Sequence, residues 1–214
     1  MCDEIKELSV TELGNPRKPQ GSAGEEMLSS MNEHHSAVTD WALGFLDVKG
    51  DSRALDIGCG GGATLAKIAS KIVNGHVTGA DYSAVSVRMS TETNKTAVSS
   101  GKMDIIEASV EKLPFPDNSF DRIITVESFY FWPDPQVNLK EVFRILDNDG
   151  RFLIVADING DAELTDDDIA NIAKYELFNP GIEEFRELLK NAGFIDVEVH
   201  TEPGTSWVCA EGRK

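Results

Sequence analysis

A chain of 214 residues with 41% hydrophobic side chains is long enough to bury one full α/β core and too apolar to stay disordered. Its formal net charge of -17 at pH 7, with no long run of Lys and Arg, argues against direct binding to nucleic acid or to an anionic membrane surface. Cys2, Cys59 and Cys209 form no CxxC pair and no Cys/His cluster at zinc-ligand spacing, so neither a metal site nor a disulfide framework is expected, and a reducing cytoplasm is the simplest location.

Residues 1–24 are polar and carry Gly14, Pro16, Pro19, Gly21 and Gly24, the composition of an irregular arm. With no apolar core after a basic start there, no signal peptide is expected, and no window reaches the ~20 apolar residues of a membrane span. From Glu25 to Leu46 the pattern is helical: Met27 pairs with Met31, and Val38, Trp41, Ala42 and Phe45 repeat at helical spacing. Ser36 is placed to cap the second of two helices there. A strand–helix alternation follows. Strand one is about 53–57 and its helix about 63–73, with Leu65, Ile68, Ala69 and Ile72 on one face. His76 to Ala80 is a second strand ending at Asp81, and Ser83 caps a helix through the nineties. Met103 to Glu107 is a third strand, and two prolines with Asp-Asn-Ser make 113–119 a loop. Phe120 to Val126 reads as a buried fourth strand. Asp134 and Pro135 open a helix as cap and first residue, with Leu139, Val142, Phe143 and Leu146 on its face and Gly150 after its end. Arg151 to Ala156 is a fifth strand. Ile182, Phe185, Leu188, Leu189 and Ala192 define a helix closed by Gly193, and strands at about 194–200 and 206–211 form an antiparallel hairpin. Residues 157–180 are too long for a plain connection; an acidic run and a helical stretch from Ile169 suggest a lid.

The stretch Ala54-Leu-Asp-Ile-Gly-Cys-Gly-Gly-Gly-Ala-Thr-Leu65 is a strand, a tight glycine turn and a helix start, the geometry that holds nucleotide-like ligands at the carboxyl ends of strands. A loop built for pyrophosphate attracts anions with backbone N–H groups, and the fixed charge of Asp56 works against that; it suits a neutral or cationic ligand. Gly58, Gly60 and Ala63 do satisfy the loose G-x-G-x-x-G/A form, with Asp81 where a ribose-binding acid is expected, so a nicotinamide-dependent oxidoreductase is a rival reading. Asp56, the Leu-Pro-Phe-Pro-Asp loop and the terminal hairpin count against it.

Asp56-Ile-Gly-Cys-Gly-Gly-Gly62 resembles the first motif of class I S-adenosylmethionine-dependent methyltransferases. Leu113-Pro-Phe-Pro-Asp-Asn-Ser-Phe-Asp121 resembles the loop and fourth strand of the small-molecule branch that includes the ubiquinone and menaquinone biosynthesis enzymes. Arg144-Ile-Leu with Gly150-Arg-Phe-Leu-Ile-Val, and Leu188-Leu-Lys-Asn-Ala-Gly-Phe194, are similar to that branch's fifth strand and late helix–strand junction. The resemblance spans about residues 50 to 200. It implies a Rossmann-like three-layer sandwich with a seven-stranded, mostly parallel sheet and a C-terminal antiparallel hairpin. It also implies residues 1–48 as an arm and helical cover over the cofactor, and 49–214 as the methyltransferase domain with the lid at 157–180. The implied cofactor is S-adenosyl-L-methionine, leaving as S-adenosyl-L-homocysteine.

By the same resemblance, Gly58, Gly60 and Gly62 let backbone approach the amino-acid end of the cofactor, with Cys59 a small packing residue beside it. Asp56 sits near its amino group and sulfonium arm. Asp81 accepts from the ribose hydroxyls, and Tyr82 packs on adenine. Ser109, followed by Val110, stands where the family commonly has an Asp reading adenine. Glu127 and Ser128 line the floor below the methyl group. Methyl transfer from a sulfonium needs chiefly in-line positioning, which supplies roughly 7–11 kcal/mol; a general base adds about 10²–10⁴-fold. Candidates are His34, His35, Glu127 and Asp134, with His35 and Glu127 foremost. The acceptor, a small molecule, is expected between the N-terminal cover, the aromatic loop Phe129–Pro135 and the lid. Its identity, the atom methylated and the oligomeric state are not legible in the chain, and a non-catalytic module that binds the cofactor for regulation or scaffolding stays open.

Overall fold

The apolar runs of the middle of the chain become the central strands of one sheet in the computed structural model, which describes residues 15–214. Five parallel strands, β1 (Arg53–Ile57), β2 (His76–Asp81), β3 (Met103–Glu107), β4 (Phe120–Val126) and β5 (Leu146–Ala156), are followed by β6 (Ile195–Thr201) and β7 (Val208–Arg213). Their order is β3-β2-β1-β4-β5-β7-β6, with β7 antiparallel to both β5 and β6. In β5, Phe152, Ile154 and Ala156 enter one apolar cluster and Leu153 and Val155 the other. Both faces of the strand are therefore covered, which is why it reads as an unbroken apolar run.

The first cluster is closed by α6 (Pro135–Ile145) and α8 (Ile182–Ala192), through Leu139, Val142, Ile145, Phe185 and Leu189. The second is closed by α2 (Ser36–Ala42) and α3 (Ala63–Lys71), through Val38, Ala42, Leu65 and Ile68. Asp134 caps α6, accepting from the Val137 N–H at 3.1 Å, and Ser83 caps α4 (Ala84–Thr93). Asn94 then interrupts the helix before α5 (Lys95–Ser99), donating to the carbonyls of Gly62 and Ser90 at 2.9 and 3.0 Å. Among the described residues no helix is long and apolar enough to cross a membrane.

Several boundaries differ from the sequence reading. The arm 1–24 lies partly outside the described residues, and its last four positions are already helical: α1 runs Gly21–His34. Gly24 packs so closely on Pro19 that a Cβ would stand 2.8 Å from the Pro19 carbonyl carbon, so this glycine serves close approach rather than a loop. Ser36 does not cap α2. His35 occupies the N-cap, and the Ser36 hydroxyl accepts from Lys67 Nζ at 2.8 Å. Leu146 is not on the face of α6; it pairs with Phe120 as the first residue of β5, leaving Gly150 inside a bulged strand instead of after a helix. Helix α3 ends two residues early because Ile72 turns extended. Within 157–180 the helix α7 spans Asp166–Tyr175, started by a reciprocal Thr165–Asp168 capping box, and none of its residues is buried.

Ile124 is fully buried on the second face of β4, between β1 and β5. Replacing Ile124 with Ala leaves a cavity that central strands cannot close. Urea melts should show a loss of about 2–5 kcal/mol.

Candidate functional site

The carboxyl ends of β1, β2 and β4 open into a cavity of about 310 Å³. At the end of β1 the chain must turn at once, and Gly58 makes the turn with φ of +76°, where a Cβ would strike Ser128. The N–H groups of Gly58 and Cys59 both donate to the Ala80 carbonyl, at 2.7 and 3.2 Å, which stitches the loop to β2. Asp81, at the end of β2, accepts from the Gly60 N–H at 3.0 Å through one oxygen and from the Ser83 N–H at 2.9 Å through the other. Loop and acid thus fix each other.

Asp56 lies beneath them, buried, and its Oδ1 has no hydrogen-bond partner among the described residues. Burial, reinforced by the Asp81 carboxylate, pushes the Asp56 carboxyl up to about 8. Burial also raises Asp81, against the pull of its two N–H donors. Two acids in one apolar recess, one with an open acceptor, form a place for hydroxyl donors and for positive charge.

The cavity's other side comes from the N-terminal segment. Pro16, Arg17, Pro19, Leu28, Met31 and Asn32 line it. The Tyr82 hydroxyl donates to the Arg17 carbonyl and the Ser83 hydroxyl to the Pro19 carbonyl at 2.9 Å. The Arg17 guanidinium lies over the Phe131 ring, 5.6 Å from its centre, and donates to the Tyr175 carbonyl at 3.3 Å. Asn32 sits against Gly61, where no side chain would fit.

Deeper in, Glu127 follows β4 with φ of +53° and is buried. Its Oε1 accepts from the Asp157 N–H and its Oε2 from the Tyr130 hydroxyl, both at 2.6 Å. Burial and the nearby Asp157 carboxylate hold its carboxyl well above the usual range. His35 Nε2 stands 3.8 Å from Glu127 Oε2 and 3.9 Å from Asp157 Oδ2. Burial outweighs Asp157 and lowers the imidazole below its ordinary value, so it is neutral near pH 7.

Asp56, Gly58, Cys59, Gly60, Asp81, Tyr82, Ser109, Val110, Glu127 and His35, drawn from five separate parts of the chain, all line this one cavity. Gly62 does not. It is the left-handed N-cap of α3 and faces Ser90 and Asn94, while Gly61 takes the lining position. The Ser109 hydroxyl is engaged with Glu111, donating to its carboxylate at 3.0 Å and accepting from its N–H at 3.2 Å. Asp134 is spent on capping α6, and His34 is an exposed neighbour of Asp157 that does not reach the lining. The aromatic loop divides: Phe129 turns into the core against Phe185, whereas Phe131 and Trp132 face the cavity. No residue of 157–180 lines it. Arg17 and Asn32 lie within the segment expected as arm and cover, yet nothing in the sequence singles them out within it; the fold sets Arg17 over Phe131 and Asn32 against Gly61.

A glycine turn after β1, an acid at the carboxyl end of each of β1 and β2, and a cavity at the strand ends define a Rossmann-like nucleoside-binding α/β domain. Residues 55–154 match the family model described as "Methyltransferase domain". The chain is 36% identical over 123 residues to cycloartenol-C-24-methyltransferase 1 of Oryza sativa subsp. japonica, covering 58% of this chain and 34% of that one. It is 30% identical over 147 residues to 2-methyl-6-phytyl-1,4-hydroquinone methyltransferase 1, chloroplastic, of the same organism, covering 69% and 42%. It therefore spans less than half the length of either relative. Phosphoethanolamine N-methyltransferase 2 of Haemonchus contortus, solved with S-adenosyl-L-methionine, shares the fold with a TM-score of 0.78 at 15% identity, over 98% of this chain and 60% of that one. The chain belongs to the class I S-adenosylmethionine-dependent methyltransferases. The family's cofactor is S-adenosyl-L-methionine, and the open, buried oxygen of Asp56 fits its cationic groups.

A carboxyl raised on folding binds its proton more tightly in the native state, so its stabilising contribution is fully present below about pH 4 and is lost as pH rises through its folded value. Without ligand, wild-type stability should therefore fall relative to Asp56→Asn between about pH 4 and about 8, then run parallel to it. Urea melts across pH read this directly.

Proposed function

We propose that this protein transfers the methyl group of S-adenosyl-L-methionine to a small-molecule acceptor by in-line displacement. The observation that carries the reading is the pair of buried acids, Asp56 and Asp81, behind a glycine turn, with Asp56 Oδ1 unpartnered. When bound, the cofactor supplies a methyl group activated on a sulfonium, with a neutral thioether as leaving group. The chain's residues bind, orient and enclose. Asp81 keeps lone pairs free beyond the two N–H groups it accepts and takes the ribose hydroxyls. Asp56 faces the amino and sulfonium end, where Gly58, Cys59 and Gly60 bring backbone close, with Gly62 shaping the turn behind them. Tyr82 flanks the adenine, with Ser109 and Val110 at its edge.

Residues 1–48 act as arm and cover and 49–214 as the methyltransferase domain, a division supported by the lining that Arg17, Leu28 and Asn32 contribute. We assign 157–180 the role of a lid that reaches the site through Arg17 and Tyr175. His35, neutral and beside the cavity, is the candidate to take a proton from the acceptor, and Glu127 holds the floor below the methyl group. A cavity of about 310 Å³ lined by Phe131 and Trp132 suits a small, partly apolar acceptor. The acidic surface speaks against nucleic acid. Free buried thiols at Cys59 and Cys209 favour a reducing compartment such as the cytoplasm.

Thermal melts test the cofactor reading. S-adenosyl-L-methionine and S-adenosyl-L-homocysteine at about a hundredfold above Kd should raise Tm by roughly 5–10 °C, and Asp81→Ala should remove most of that rise. Stabilisation by NAD alone overturns the proposal. Once an acceptor is found, His35→Gln should lower kcat by about 10²–10⁴-fold while leaving the cofactor's effect on Tm unchanged. A loss of cofactor binding instead would make His35 part of the binding wall.

A further inference from the structure

At the far edge of the sheet, away from the cavity, β6 and β7 gather Glu198, His200 and Glu211. Residues i and i+2 of a strand point to the same face, so Glu198 and His200 project together from β6, and Glu211 of β7 lies directly opposite Glu198. His200 Nε2 is 3.5 Å from Glu211 Oε1 and 3.8 Å from Glu198 Oε2. That nitrogen is sealed from solvent and has no hydrogen-bond partner among the described residues. Two contacts hold this arrangement. The imidazole stacks on Phe45, with ring centres 4.1 Å apart and planes 7° from parallel. Arg151 Nη1 donates to Glu211 Oε2 at 2.9 Å, which turns the other carboxylate oxygen toward the imidazole.

We propose that Glu198, His200 and Glu211 bind a divalent transition metal, with Zn²⁺ the best match to one imidazole nitrogen and two carboxylate oxygens. Bonds of about 2.0–2.2 Å set neighbouring donors of a tetrahedral zinc about 3.4 Å apart. The His200–Glu211 separation already has that value, and Glu198, with 67% of its side chain exposed, is free to swing in by the remaining tenths. The ion satisfies the orphaned Nε2 and offsets two carboxylates, of which only Glu211 is paired with an arginine, Arg151. Bound there, it clamps edge strand β6 to β7 and, through the stacked Phe45, to the segment that follows α2. Spacing along the chain gives no hint of the site, because Glu211 arrives only by strand pairing.

The test uses the full chain, stripped with a chelator and titrated with Zn²⁺ by calorimetry and by NMR of its four histidines. One equivalent should bind, shift the Nε2 resonance of His200 and raise Tm. His200→Ala should abolish binding. Glu198→Gln, at an exposed position that cannot compromise folding, should weaken binding at least about tenfold. His34→Ala should leave binding intact, since it alters only the other meeting of imidazoles and carboxylate, at His34, His35 and Asp157. No binding to the wild type, binding that survives both His200→Ala and Glu198→Gln, or a shift confined to His34 and His35 overturns the proposal.

Discussion

A carboxylate buried among apolar strands with one oxygen unbonded is an unfavourable thing to fold around, and Asp56 is placed in that position near the end of β1, an interior strand flanked by β2 and β4. Among the described residues no cation pairs with it, and its neighbour Asp81 adds to the cost of its charge. The surrounding architecture follows from holding these two acids together. Gly58 turns the chain away before a side chain can fill the recess. The Gly60 and Ser83 amides fasten Asp81, and the Ala80 carbonyl anchors the loop between the acids. The recess is thereby prepared for a partner that brings hydroxyls and positive charge, and the cost of the preparation is carried by a core closed on both faces of the sheet.

The second centre, around Glu127, is built on a different principle. There each carboxyl oxygen meets a donor, the Asp157 amide on one and the Tyr130 hydroxyl on the other, and burial raises the carboxyl above its usual range. The first site keeps one buried oxygen with no donor among the described residues, whereas in the second each oxygen is met by one. In the proposed methyl transfer, that contrast would separate a pole that attracts charge from a wall below the reacting atoms, with His35 between them.

Much of this was legible in the chain, for stated physical reasons. Strands buried on both faces, such as Phe152-Leu-Ile-Val-Ala156, are unbroken apolar runs. Capping residues such as Ser83 and Asp134 announce their helices, and the glycine turn with Asp56 and Asp81 marks one end of the cavity. What escaped depends on pairing between distant segments. Leu146 has the spacing of a helical face, but Phe120 claims it across the sheet. Asp157 stands beside Glu127 only because Val126 and Val155 are register partners at the ends of parallel strands. Ser36 has the chemistry of a cap and is used by Lys67 instead. Arg17 belongs to a stretch whose prolines suggest only a loop, and its place over Phe131 is set by contacts more than a hundred residues away. Local chemistry reads from sequence; the neighbours that long-range pairing supplies do not.

The cavity's enclosing parts have unequal strength. Its floor is the ends of strands whose opening requires the whole sheet to come apart. Its N-terminal wall near Tyr82 is a short run, Pro16 to Pro19, held by the Tyr82 and Ser83 hydroxyls and by the reach of Arg17 to Tyr175. Segments of that kind open by local fluctuation at a small fraction of the global free energy. Exchange with solvent therefore has a preferred direction and its own clock: a molecule in the recess leaves when these few polar contacts part, and its dwell time is set by the grip of the arm as well as by its own fit to Asp56 and Asp81.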